Sequence, residues 1–280
     1  MSQSVRCAEI LGVRNVSVPD SQETWRLLDV EFEDPYMNMA VDEAVAREVG
    51  EIKSPSTLRF WRNFNAVVIG AFQDPRAEVN FESCRKHGTI LVRRFTGGGA
   101  VYHDEGNMNL AISVPTSHRL VKDDILDTFR DLSLGFLEGL KYLGVKDAKW
   151  EYGNCISING LKISGFAGAM KWNTFFCHGS ILLASNINRL QEVLRSSEST
   201  DEKYVRSVRR TVTTVRKETD KMVSITDLKM AIRKGFEDAL GIALVDGTLS
   251  SKEHHVARKL YQNKYSTSKW NYEGFCMDSL

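Results

Sequence analysis

The chain lacks any marked charge imbalance: 37 Lys and Arg stand against 36 Asp and Glu. Without a strong field of one sign, neither nucleic acid nor a membrane surface is an expected partner. No apolar run approaches the roughly 18 residues of a spanning helix, so none is expected. The opening residues MSQSVRCAEILGVRN lack the apolar core of a secretory signal. Cysteine is sparse and unpatterned, since Cys7, Cys84, Cys155, Cys177 and Cys276 form neither a C-x-x-C pair nor a zinc-like spacing. An odd number of thiols with no signal segment predicts a reducing compartment, hence a cytoplasmic protein. Internal repeats and low-complexity runs are missing. So are the two standard nucleotide-binding glycine patterns, G-x-x-x-x-G-K-(S/T) and G-x-G-x-x-G.

What is present is ordinary globular patterning over 280 residues, enough to bury a sizeable core. After a polar leader, MNMAVDEAVAREV (37–49) reads as a helix with Met37, Val41, Ala44 and Val45 near one face and the acids on the other. Strand-like runs follow at 57–61, 66–72 and 89–94, rich in β-branched and aromatic residues. A glycine loop (96–99) leads into AVYHDEGNMNLAISV, whose second half reads as another strand. Apolar residues from Ile125 to Leu143 recur at spacings of three and four, predicting a helix closed by Gly144. CISI and LKIS flank Asn159-Gly160, the favoured pair of a type I′ hairpin turn. TFFCHGSILLA (174–184) reads as a long strand. The remainder reads as helical, with Ser224 and Asp227 as a capping box and a second, more polar helix at 251–263. Such irregular interleaving predicts an α+β fold rather than a doubly wound one. The expected organisation is a leader over 1–24, a catalytic domain over 25–245 and a helical extension over 246–280.

The densest chemical signal is RRFTGGGAVYHD, from Arg93 to Asp104. Three glycines remove every Cβ from one stretch of backbone, so its N–H groups can approach phosphate or carboxylate oxygens. Arg93 and Arg94 can add charge-assisted contacts to the same anion. The plainer reading is a flexible turn flanked by solvated arginines. Lys162 is the second signal, just past the tight turn and leading into SGFAGA, where small residues leave room for an ammonium to reach a pocket. An exposed hairpin lysine is its plainer reading. His103 and His178 have no second metal ligand at a useful spacing and are expected to serve as structural hydrogen-bonding groups. Cys155 and Cys177 sit in apolar strand-like runs, where a buried inert thiol is the expectation.

Together these residues resemble the lipoate–protein ligase family. RRFTGGGAVYHDEGNMNLAIS is similar to its signature RR-x-(S/T)-GGG-A-V-(Y/F)-H-D-x-G-N-x-N, and NCISINGLKISGFAGAM to its N-D-x-x-x-x-G-x-K segment. MNMAVDEA, LRFWRNFNAVVIGAFQ and KYSTSKWNY extend the likeness over residues 25–272. The resemblance implies a mixed, mostly antiparallel sheet with flanking helices, shared with biotin ligases. It implies activation of (R)-lipoate by ATP, assisted by Mg²⁺, to lipoyl-AMP, then transfer to a carrier lysine. On the family pattern Arg94 matches a nucleotide-binding arginine, and Gly97, Gly98, Gly99, Ala100, Val101 and Tyr102 the backbone around the adenylate. Lys162 matches the essential lysine, His178 a recurring histidine, and Ala167 and Gly168 small residues walling the lipoyl site. The implied carriers are the E2 lipoyl domain of a 2-oxoacid dehydrogenase, the glycine-cleavage H protein or another lipoate carrier.

Two departures follow. Asn154-Cys155 stands where the family has N-D, and Gly153 where it usually has Arg. The missing carboxylate leaves Asp104 as the nearest acid in sequence for a metal. The chain also stops shortly after its WNY segment, like archaeal two-component ligases, which implies a separate small accessory subunit. The alternatives are a cysteine-dependent octanoyl or lipoyl transferase using Cys155, and an inactive lipoyl-binding module. The basic stretch RSVRRTVTTVR (206–216) is expected to close over the adenylate, or else to be a solvated face.

Overall fold

The computed structural model describes residues 22–151, 154–195, 204–219 and 222–274. Most of the expected leader, with Cys7, Gly153 and Cys276, lies outside the described residues. In chain order the elements are β1 (Glu23–Asp29), α1 (Pro35–Gly50), β2 (Thr57–Trp61), β3 (Asn65–Ile69), α2 (Pro75–Glu78), α3 (Phe81–His87), β4 (Ile90–Arg93), β5 (Val101–Asp104) and β6 (Asn107–Pro115). They continue as α4 (Ile125–Tyr142), β7 (Ala148–Glu151), β8 (Cys155–Ile158), β9 (Leu161–Lys171), β10 (Thr174–Leu182), α5 (Ile187–Val193), α6 (Val215–Thr219), α7 (Ile225–Leu240), β11 (Ile242–Asp246) and α8 (Ser251–Leu260). Two short π-helical turns, Tyr261–Tyr265 and Lys269–Glu273, end the described chain.

Local chemistry sets many of these boundaries. Asp34 and Asp124 cap α1 and α4 by accepting from Tyr36 N and Leu126 N. Ser224 with Asp227, and Ser250 with Glu253, form reciprocal capping boxes at α7 and α8. Asn159 (φ 51°) and Gly160 (φ 77°) both adopt the left-handed conformation that a type I′ turn needs, joining β8 to β9.

The main sheet runs β11-β1-β2-β6-β10-β9-β8-β7; β1 pairs parallel with β11 and β2, and all other pairs are antiparallel. A smaller sheet, β4-β3-β5, carries the glycine loop between β4 and β5. The fold is therefore α+β with a mixed, mostly antiparallel sheet. Alternation along β1 sends Trp25 and Leu27 into one core cluster and Leu28 into another. The first contains α4 and α7, which approach so closely that a Cβ on Gly235 would sit 2.3 Å from Gly135 O. The second packs α1 against α8.

Two features depart from the sequence reading. The acids of α1 do not face solvent: Asp42, Glu43 and Glu48 are buried. Asp42 pairs with Arg59, and Glu43 with Arg47, Lys264 and the Tyr265 hydroxyl, because the C-terminal segment covers that face. The region after α7 is not wholly helical either, since β11 extends the main sheet beside β1.

Candidate active site

The two arginines ending the RR pair part company. Arg93 turns into the protein, donating to the carbonyls of Gly70, Ala71, Gln73 and Trp270 and tying down the C-terminal segment. Arg94 turns into the glycine loop instead. Its Nε donates to Thr96 Oγ1 (3.0 Å), and Nη2 donates to the carbonyls of Gly97 (2.6 Å) and Gly99 (2.9 Å). Burial lowers its pKa to about 10. One guanidinium thus gathers the loop carbonyls on its own side. Gly98 sits at φ 87°, and a Cβ there would lie 2.9 Å from Arg94 Nη2.

Lys162 enters from β9. Its backbone is fixed by the segment 211–213: Lys162 N donates to Thr211 O (2.9 Å) and Thr213 N to Lys162 O (3.0 Å). Its side chain folds back over Gly165, where a Cβ would stand only 2.7 Å from Nζ. Among the described residues Lys162 has no carboxylate at ion-pairing distance. Burial, aided by Arg210, Arg94 and Arg209, holds its pKa below the usual amine value, while Cys155 opposes this. Cys155 is itself buried; burial raises its thiol pKa, against the lowering effect of Lys162 and Arg210.

Arg94, Gly98, Gly99, Ala100, Val101, Lys162, Ala167 and His178 line one cavity. Met39, Trp61, Val68 and Phe166 add apolar surface, and residues 205–209 contribute the other wall. Such a lining suits a ligand with an acyl chain and an anionic head. Alternation along β5 directs Val101 and His103 to the cavity and turns Tyr102 away, where its hydroxyl donates to Asn65 Oδ1 (3.1 Å). Gly97 O serves Arg94 rather than the lining, and Gly168 makes room for the Phe129 ring. Arg93 also lies outside the lining, so only one of the RR pair stands beside the cavity.

The two histidines of the cavity, His103 and His178, are neutral. Asn63 and Asn109 use their amide oxygens to accept from Asn38 and Asn107, so both amide nitrogens face His103 Nδ1, at 3.3 and 3.4 Å. Nδ1 therefore accepts, and the ring proton sits on Nε2. Burial, assisted by Arg94, lowers the His103 pKa to about 3. Thr96 Oγ1 accepts from Arg94 Nε and is hydrogen-bonded to His178 Nε2 (2.8 Å). Burial, Arg94 and His103 together hold His178 well below the usual imidazole value. Its Nδ1 lies 4.0 Å from Asp42 Oδ2, a buried oxygen without a hydrogen-bond partner among the described residues.

The residues present do not fit a resident metal. Among the described residues no three His, Cys, Asp or Glu side chains converge, and no carboxylate lines the cavity. Asp104 Oδ1 accepts from Gly106 N and its Oδ2 from Asn186 N, on the far side of β5. Sequence reasoning missed Asp42 and Ser207. The only pointer to Ser207 was the basic stretch 206–216 around it, of which residues 206–209 line the cavity. Among the described residues no helix is long and apolar enough to cross a membrane.

Residues 34–237 match the family described as the lipoyl protein ligase A/B catalytic domain. The chain is 35% identical to the lipoate-protein ligase A subunit 1 of Thermoplasma acidophilum, over 84% of this chain and 91% of that one. It is 30% identical to the octanoyltransferase LipM of Brevibacillus brevis, over 89% of this chain and 99% of that one. Among solved structures, it resembles the bipartite lipoate protein ligase of T. acidophilum described with its E2 lipoyl domain (TM-score 0.79, 32% identity, 92% of this chain and 100% of that one). A lipoate-protein ligase A bound with ATP is similar to the same degree (TM-score 0.77, 32% identity, 89% of this chain and 98% of that one).

Proposed function

The chain belongs to the lipoyl protein ligase A/B catalytic domain family, and on that premise we propose that it is an ATP-dependent lipoate–protein ligase. A carboxylate oxygen of lipoate attacks the α-phosphorus of ATP, the bond to the β-phosphate oxygen breaks, and pyrophosphate leaves. The ε-amine of a carrier lysine then attacks the acyl carbon of lipoyl-AMP, losing a proton to solvent, and AMP departs.

Lys162 is the catalytic residue of this reading, its ammonium offsetting the charge that gathers between carboxylate and phosphate. Arg94 holds the loop Gly97–Gly99 so that the backbone through Ala100, Val101 and Tyr102 frames the adenylate. Ala167 and His178 border the acyl group. The described lining offers no carboxylate that would hold magnesium. The carrier is an E2 lipoyl domain, an H protein or another lipoate carrier, and a small accessory subunit completes the enzyme; the T. acidophilum relative is described as bipartite.

One observation carries the proposal. An ammonium without a carboxylate partner among the described residues stands beside a glycine loop in a cavity whose described lining includes no cysteine. The likeness to LipM over nearly that protein's whole length favours a second reading, acyl transfer between carriers through Cys155. Against it, Cys155 is 1% exposed and absent from the lining. The test is lipoylation of a purified lipoyl domain with and without ATP, with the accessory subunit in a parallel set. ATP-dependent transfer lost in Lys162→Met and kept in Cys155→Ala is expected. ATP-independent transfer from an octanoyl carrier, abolished by Cys155→Ala, refutes the ligase and installs the transferase.

A further inference from the structure

The described segment that begins at Tyr204 meets the end of the glycine loop through two side chains, Arg209, whose Nη1 reaches Ala100 O (3.5 Å), and, more closely, Ser207. Ser207 Oγ accepts from Ala100 N (2.8 Å) and from Gln73 Nε2 (3.0 Å). The polarity of both contacts is fixed. A backbone amide can only donate, and the Gln73 side-chain oxygen is already committed to Gly70 N (2.9 Å), which turns its nitrogen toward Ser207.

A serine hydroxyl has two lone pairs and one proton, so Ser207 is left with only its proton to give. That proton has no acceptor among the described residues, and Ser207 lines the cavity beside Gly99, Lys162 and Arg209. The backbone of Ser207 is equally constrained. Its N–H donates to Glu78 Oε1 (3.0 Å), and the other oxygen of that buried carboxylate pairs with Arg209 (3.3 Å). Gly99 completes the fit, because a Cβ there would lie 2.9 Å from Ser207 Oγ.

We propose that Ser207 is a ligand-binding residue, an obligate hydroxyl donor aimed at a phosphoryl oxygen of the acyl-adenylate. Two accepted hydrogen bonds polarise the O–H and strengthen its donation to an anion. Glu78 and Gln73 are positioning residues that hold the hydroxyl in this orientation. The inference rests on the adenylate reading given above and assigns one more contact within it.

The test is calorimetric titration of the full chain with lipoyl sulfamoyl-adenosine, whose sulfonyl oxygens stand in for the phosphoryl oxygens. Adenosine, which lacks that group, serves as the control. Ser207→Ala is expected to bind the analogue about tenfold to a hundredfold more weakly, the worth of one hydrogen bond to a charged group, with adenosine affinity unchanged. Equal analogue affinity overturns the proposal. Tighter binding overturns it too, making Ser207 a competitor for Ala100 N–H. A parallel loss for adenosine also overturns it, by reducing Ser207 to an anchor of its segment. If the unsubstituted chain binds no analogue at all, it is the ligase reading that fails.

Discussion

Replacing Lys162 with methionine separates the two things this side chain does. In the unliganded protein its ammonium is half-buried and has no carboxylate partner among the described residues, with the charges of Arg94, Arg209 and Arg210 nearby. A charge held this way costs free energy, and methionine of similar length fills the space over Gly165 without it. The variant is expected to be more stable by about 1 kcal/mol, roughly 2 °C in melting temperature for a chain of this size. The pH dependence follows from the lowered pKa. The unfolded chain binds the lysine proton more tightly, so wild-type stability rises with pH toward the ordinary value of 10.5, and its gap to Lys162→Met closes there. Catalysis moves the other way. Removing one donor to developing anionic charge typically costs about 10²–10³ in rate, so pyrophosphate release should fall by at least that factor. Scanning calorimetry at several pH values, paired with a pyrophosphate-release assay, measures both effects. A variant that melts well below wild type, or that retains adenylation, refutes the reasoning.

Gly98→Ala forces an alanine into φ 87° and places its Cβ 2.9 Å from a guanidinium nitrogen already held by two carbonyls. It should lose about 1–3 kcal/mol in chemical denaturation, with a weakened ATP affinity; unchanged values would show the loop to be pliable. His103 stays neutral in the folded protein down to about pH 3, while the unfolded chain protonates it near 6.5. Stability carried by its neutral form is therefore present above pH 6.5 and lost as the pH falls toward 3. His103→Gln should recover roughly 2 kcal/mol relative to wild type between pH 6.5 and 4.5 in urea titrations, and parallel acid limbs would contradict this.

The parts of the fold legible in the sequence were those whose signal is local. The Asn159-Gly160 turn, the apolar stripe of α4 and the Ser224–Asp227 box each follow from a few neighbouring residues. What escaped depends on distant partners. β11 has only five residues, and its identity as a strand comes from pairing with β1 some 220 positions away. β5 is hidden inside the glycine motif and exists because β3 pairs with it. The acids of α1 look like a wet face until Lys264 and Tyr265 are folded onto them. The site divides in the same way. A run of three glycines and a hairpin lysine announce themselves only through a family pattern, because their bare chemistry suits any surface loop. Ser207 had no such pattern to speak for it, since its donor role appears only after Gln73, Ala100 and Glu78 converge from separate elements.

The residue at 155 bears on which of the two related chemistries this cavity supports. Where the family pattern has aspartate, Cys155 lies on β8 opposite Gly165, the glycine over which Lys162 folds. An aspartate there would place a negative charge near the ammonium and share it with any ligand. A thiol whose pKa is raised by burial stays neutral and leaves the charge of Lys162 uncompensated. The substitution therefore makes the cavity more positive and more receptive to an anionic acyl-phosphate. Acyl transfer through sulfur would need the opposite arrangement, with the thiol ionised and open to the carrier. Arg210, 3.2 Å from the sulfur, and Lys162 both pull toward that thiolate, yet burial outweighs them. The same two cations therefore serve either chemistry, and the desolvation of a single sulfur atom is an argument for the proposed ligase over acyl transfer through Cys155.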